Sequence, residues 1–152
     1  MVVGLSPLPA MATPGGCYAA AYDAAHLAAN PDQVVETLAL YFTPDANREG
    51  IARVELRAVM ARQGHAARRG VGGTTLEEFG LCSPEGSCVI ACDGGSFSIL
   101  SADEATIEIE TTDARVSAQP CPPGLPVSTL ADIPGEITTY RLSRAPDSAC
   151  GR

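Results

Sequence analysis

A chain of 152 residues with 45% hydrophobic content can build a core of its own, burying roughly two-thirds of its unfolded surface. Its formal net charge of −8 speaks against nucleic acid and anionic membrane surfaces as partners. Six cysteines, no lysine and only two histidines narrow the chemistry further. The cysteines point to an oxidising compartment, and any histidine-dependent catalysis must draw on His26 or His65.

Residues 1–12 are uncharged and mostly apolar, and Ala10-Met11-Ala12 fits the small-residue pattern of a signal-peptidase site. No Arg precedes Arg48, so the basic region that opens a secretory signal is missing. The segment reads as the tail of a signal peptide that starts further upstream, with residues 13–152 forming a single disulfide-braced β domain. No apolar run approaches the ~20 residues of a membrane-spanning helix, and no membrane insertion is expected.

Asp23 to Asn30 is Ala-rich, begins with a capping Asp and runs into Asn30-Pro31, which predicts one short helix near the N-terminus. Beyond it the hydrophobic period becomes two. Val54, Leu56, Ala58 and Met60 alternate with Arg53, Glu55 and Arg57, the pattern of a half-buried strand. Phe97 and Ile99, Ile107 and Ile109, and Tyr140 and Leu142 follow the same rule, and turn signals such as Asp93-Gly94-Gly95 separate the runs. About eight strands result, near 33–42, 51–61, 74–82, 87–93, 96–101, 105–111, 114–118 and 137–142. Short links between consecutive strands favour an all-β fold, an antiparallel meander closing into a small barrel or curved sandwich.

Two loops break this regularity. Gln63 to Gly73 is rich in Arg and Gly, and Gln119 to Gly135 carries Pro120, Pro122, Pro123, Pro126 and Pro134. Loops of this length in a compact domain are candidate functional segments. The first holds His65, Arg68 and Arg69, the candidate binding residues, although a flexible, solvated basic loop accounts for the same composition. Charge is uneven along the chain, with six arginines against two glutamates over 48–70 and nine carboxylates without an arginine over 71–113. Neighbouring strands from these segments can pair opposite charges on their outer faces.

The cysteines are Cys17, Cys82, Cys88, Cys92, Cys121 and Cys150, enough for three disulfides. Cys88 and Cys92 lie on one strand roughly 13 Å apart, beyond the reach of a bridge. Cys82 and Cys88 stand at the two shoulders of a hairpin, where opposed residues have the right spacing. Counting strands up and down places Cys92 with Cys17 at the other end, so Cys17–Cys92 is expected, and Cys121–Cys150 by elimination. Zinc held by Cys82, Cys88, Cys92 and a histidine competes with this pairing, but the Cys88-x3-Cys92 spacing is followed by a turn and does not enclose one.

Catalytic signatures are missing. There is no Cys-x-x-Cys and no nucleophile elbow, and Asp23 with His26 at i, i+3 is explained as well by helix capping as by a carboxylate–imidazole pair. No catalytic residue, metal ligand or cofactor is assigned. The pattern points to a secreted or periplasmic, non-enzymatic barrel that binds a small ligand or a protein partner in the manner of an inhibitor. The competing reading is a metal- or histidine-dependent envelope enzyme that uses His26, His65 and unpaired cysteines.

Overall fold

In the computed structural model, residues 14–118, 121 and 127–152 are described. The expected signal remnant lies outside them, as do Pro120, Pro122, Pro123 and Pro126 of the proline-rich loop. Ten strands and two short helices follow in chain order: β1 Gly16–Ala21, α1 Ala24–Ala29, β2 Val35–Pro44, β3 Ala52–Met60, α2 Gly64–Arg68, β4 Thr75–Cys82, β5 Ser87–Ile90, β6 Ser96–Ala102, β7 Thr106–Thr111, β8 Arg115–Ser117, β9 Val127–Thr129 and β10 Thr138–Arg144. A 3-10 helix, Asp147–Cys150, ends the chain's regular structure.

Eight of these strands close into an antiparallel barrel. β1 through β7 pair in sequence, β10 pairs with β7, and β10 pairs with β1 to complete the ring. Eight is the number the hydrophobic pattern predicts, but the membership differs. The 114–118 run becomes β8, which pairs with β9 and touches the ring through one register pair, Glu77 with Ser117. Its place in the ring is taken by β1, whose Cys-Tyr-Ala-Ala-Ala sequence shows no polar alternation and is poor in β-branched residues. β1 forms because both neighbours are available, β2 over six register pairs and β10 over two.

The barrel interior is packed. Val54, Leu56, Ala58 and Met60 of β3 are all buried, as the alternation requires, while Arg53 and Arg57 face outward. Tyr18, Phe42 and Phe97, each nearly inaccessible, fill the cross-section together with Leu40, Ile107 and Ile109. Side chains of this size fill an eight-stranded barrel, leaving a core where a wider barrel would hold a ligand. On the outer face Arg57 stands opposite Glu77 in register, and their side chains pair at 3.4 Å. This is the cross-strand pairing that the uneven charge distribution suggests.

Three seams of the ring are short, β1–β10 with two register pairs and β4–β5 and β5–β6 with three each. β4 and β5 share three register pairs, Gly80–Ile90, Leu81–Val89 and Cys82–Cys88. The strands approach so closely there that a Cβ at Gly80 would stand 2.5 Å from the Val89 carbonyl oxygen. Above the seam, the inward-facing Glu78 is buried and accepts a 2.8 Å hydrogen bond from the Ser117 hydroxyl, so β8 continues the wall where β5 ends.

All six cysteines are bridged, as Cys82–Cys88, Cys17–Cys150 and Cys92–Cys121. The hairpin pair is the one expected. The other two correct the pairing inferred by counting ends, because β1 is an additional strand. It carries the chain from Cys17 at the end of the barrel that holds Cys82 and Cys88 up to α1 at the opposite end, where Cys92 turns the chain from β5 into β6. Cys17 is therefore left to meet the C-terminal 3-10 helix, and Cys92 meets the segment after β8.

Candidate functional site

The end of the barrel that carries α1 and α2 gathers most of the side chains with chemical potential. Asp23 caps α1 by accepting the His26 backbone N–H at 2.8 Å. The His26 ring turns away from that carboxylate, hydrogen-bonds the Gln33 side-chain oxygen at 2.8 Å and stacks obliquely on Tyr22 with centroids 4.7 Å apart. Capping is therefore what joins Asp23 and His26. The Gln63 amide nitrogen, 2.7–3.0 Å from the carbonyls of Leu27, Asn30 and Gln33, ties the α1 exit to the start of α2.

The segment 63–73 is more ordered than a solvated basic loop. It contains the α2 turn, whose His65 and Ala66 are buried. His65 Nε2 lies 2.8 Å from the Ala131 carbonyl oxygen, and since a carbonyl only accepts, Nε2 carries the proton. Its Nδ1 is buried and has no hydrogen-bond partner. His65 thus joins the two segments singled out as candidate loops, 63–73 and the last part of 119–135. The three candidate binding residues separate in role. His65 points into the molecule, and Arg68 and Arg69 are exposed on the surface of the same turn.

Beneath Ala131 lies a half-buried acidic and phenolic cluster that sequence reasoning missed. Asp132 accepts the Val34 backbone N–H at 3.2 Å, and burial raises its carboxyl above the usual range against the opposing effect of that hydrogen bond. Tyr140 donates to the Leu130 carbonyl at 2.5 Å, and burial, then the Asp132 charge, push its phenol well above 10.0. Tyr22 is raised for the same two reasons. Tyr22 lies far in sequence from Asp132 and Tyr140, and no spacing pattern connects the three.

The hydrogen bonds of both histidines anchor neighbouring segments. Among the described residues neither histidine hydrogen-bonds an acidic side chain or a hydroxyl nucleophile: His26 is held by an amide and His65 by a main-chain carbonyl. The cysteines required by a zinc or thiol reading are consumed in bridges. Among the described residues no group of three or more His, Cys, Asp or Glu is placed to hold a metal ion, and no helix is long and apolar enough to cross a membrane.

Two of the grooves on the outer wall of the barrel lie beside β2 and β3. One, about 370 Å³, runs beside Arg53, Arg57, Glu77, Phe79 and the tail residue Arg152. Its cations are engaged within the chain: Arg53 lies over the Phe79 ring, Arg57 pairs with Glu77, and Arg152 pairs with Glu55 and lies over Tyr41. The other, about 440 Å³, is floored by small side chains including Ala19, Ala21 and Ala39. Searches of protein-family models, curated proteins and solved structures with this chain find no match.

Proposed function

We propose that this protein is a non-enzymatic binding protein of the periplasm or the extracellular space, released by cleavage after Ala12, that engages an acidic protein partner through the α2 end of its barrel. The observation that carries this reading is the packed interior: with Tyr18, Phe42 and Phe97 filling the barrel, contacts with a partner belong to its surface. The three disulfides fit an oxidising compartment. At the α2 end, His65 fixes one candidate segment against the other, which presents Arg68 and Arg69 on an anchored turn. Binding residues on loops held by a rigid scaffold are the common arrangement for such modules.

The test is the double variant Arg68→Ala/Arg69→Ala. Arg68 is exposed, so Arg68→Ala alone should change thermal stability by no more than about 0.5 kcal/mol. Affinity purification of extracytoplasmic proteins on immobilised wild-type chain at low and high salt should yield a salt-sensitive partner, retained more weakly and with a flatter salt dependence by the variant. A variant that unfolds much more easily would make the arginines structural and remove this surface from consideration.

A further inference from the structure

The three bridges differ in how far their cysteines are buried. Cys82 and Cys88 belong to the core, and Cys17 is buried with Cys150 half-buried. Cys92 and Cys121 are both exposed, so theirs is the one bridge with two solvent-facing cysteines. Their backbones differ as well. Among the described residues three non-glycine residues have φ in the left-handed region: Cys92 at 60°, Asp93 at 58° and Cys121 at 70°. Aspartate takes that region readily, whereas a cysteine Cβ crowds the following carbonyl there. Cys92 and Asp93 are the central residues of the turn Ala91–Gly94, which the Gly94 N–H closes on the Ala91 carbonyl at 3.1 Å. Positive φ at both central positions is the type I′ pattern, whose usual occupants are Gly, Asn and Asp. Both cysteines of the exposed bridge therefore hold a costly backbone conformation that the other four avoid.

The ring does not run through this bridge. β5 ends at Ile90, and Cys121 follows β8, which lies outside the eight-stranded ring. The bridge ties the β5–β6 turn to the chain after β8, beside the 2.8 Å hydrogen bond from the Arg115 N–H to the Gly94 carbonyl. Exposed or strained disulfides are the more oxidising and labile ones, because a thiolate can reach a sulfur and opening relieves the constraint.

We propose that Cys92–Cys121 is a redox site of this protein, opened by a dithiol reductant of the Cys-x-x-Cys class and reclosed by a disulfide oxidant, while Cys17–Cys150 and Cys82–Cys88 stay shut. A reductant thiolate attacks Sγ of Cys92 or Cys121, forms a mixed disulfide and expels the other cysteine as a thiolate that takes up a proton. The reductant's second thiol, deprotonated as it attacks, then displaces the remaining cysteine in the same way. Two electrons and two protons pass to the protein, which is left with two thiols, and the reductant departs as a disulfide. This chemistry stands whether or not the α2 end binds a partner.

The test titrates the folded protein with dithiothreitol at neutral pH without denaturant, traps thiols with N-ethylmaleimide and maps the labelled peptides. Cys92 and Cys121 should be labelled together, at least about ten-fold faster than the other four, and should rejoin when oxidised dithiothreitol is added. The far-ultraviolet circular dichroism of the barrel should not change through this step. Thioredoxin whose second active-site cysteine is replaced by serine, used as a trap, should form a mixed disulfide with Cys92 or Cys121 alone. Earlier opening of another bridge, simultaneous opening of all three, loss of the β signal with the first bridge, or no trapped adduct overturns the redox site. The variant Cys92→Ser/Cys121→Ser should keep the other two bridges and exchange its Arg115 amide faster, with the β2 and β3 amides unchanged. Wild-type protein reduced and alkylated at Cys92 and Cys121 gives the same comparison if the variant does not fold. An unchanged Arg115 amide would show that the bridge places no constraint on the turn, and would also overturn the proposal.

Discussion

Tyr140 shows how a single side chain links the core to the α2 end of the barrel. Its ring is buried in the core while its hydroxyl holds the Leu130 carbonyl. Tyr140→Phe keeps the ring and leaves that carbonyl without its donor, so a loss of about 1–3 kcal/mol is expected in denaturant unfolding. The pH dependence follows from the raised phenol. Its contribution is fully present below the ordinary tyrosine value of 10.0 and is lost as pH rises through the higher folded-state value. Wild-type stability should therefore fall more steeply than that of Tyr140→Phe above pH ~10, and parallel alkaline curves would contradict the assignment. His65 makes a comparable link from the α2 side, through Ala131. Its identity is plain in the sequence, but nothing in the spacing distinguishes a buried anchor from a solvated loop histidine.

At the scale of elements, what the sequence reveals depends on alternation. β3 is legible because Arg53, Glu55 and Arg57 interrupt its apolar row, and the structure buries that row and pairs Arg57 with Glu77. β1 is illegible for the opposite reason: its three consecutive alanines suit a helix as well as a strand, and only the ring's two free edges decide the matter. α1 is readable from its Asp23 cap and the Asn30-Pro31 stop, while α2 lacks a capping side chain at Gln63 and is fixed by tertiary contacts. The candidate site divides in the same way. Arg68 and Arg69 stand out by composition, whereas Asp132, Tyr22 and Tyr140 influence one another only in the folded chain.

Across the whole molecule the three bridges do unequal work. Cys82–Cys88 spans 6 residues of sequence beside an existing ladder, while Cys17–Cys150 spans 133 and fastens the terminal 3-10 helix to β1. In the chain-entropy account, the longer closure stabilises more by about 2–3 kcal/mol. Replacing Cys17 and Cys150 together with Ala should therefore lower the unfolding free energy by that margin beyond replacement of Cys82 and Cys88. Equal effects in urea titrations would mean that the unfolded chain is already held together near its ends. The packed interior and the ring closed by β1 also place α1, α2 and the 130–137 segment at one end. The proposed surface depends on that topology.

The topology is tested most directly by non-reducing peptide mapping of the mature protein. β1 as a barrel strand sets Cys17 and Cys92 at opposite ends, so the map should show Cys17–Cys150, Cys92–Cys121 and Cys82–Cys88, with no free thiol. Recovery of Cys17 joined to Cys92, or of Cys82 and Cys88 in separate bridges, would contradict the closed ring.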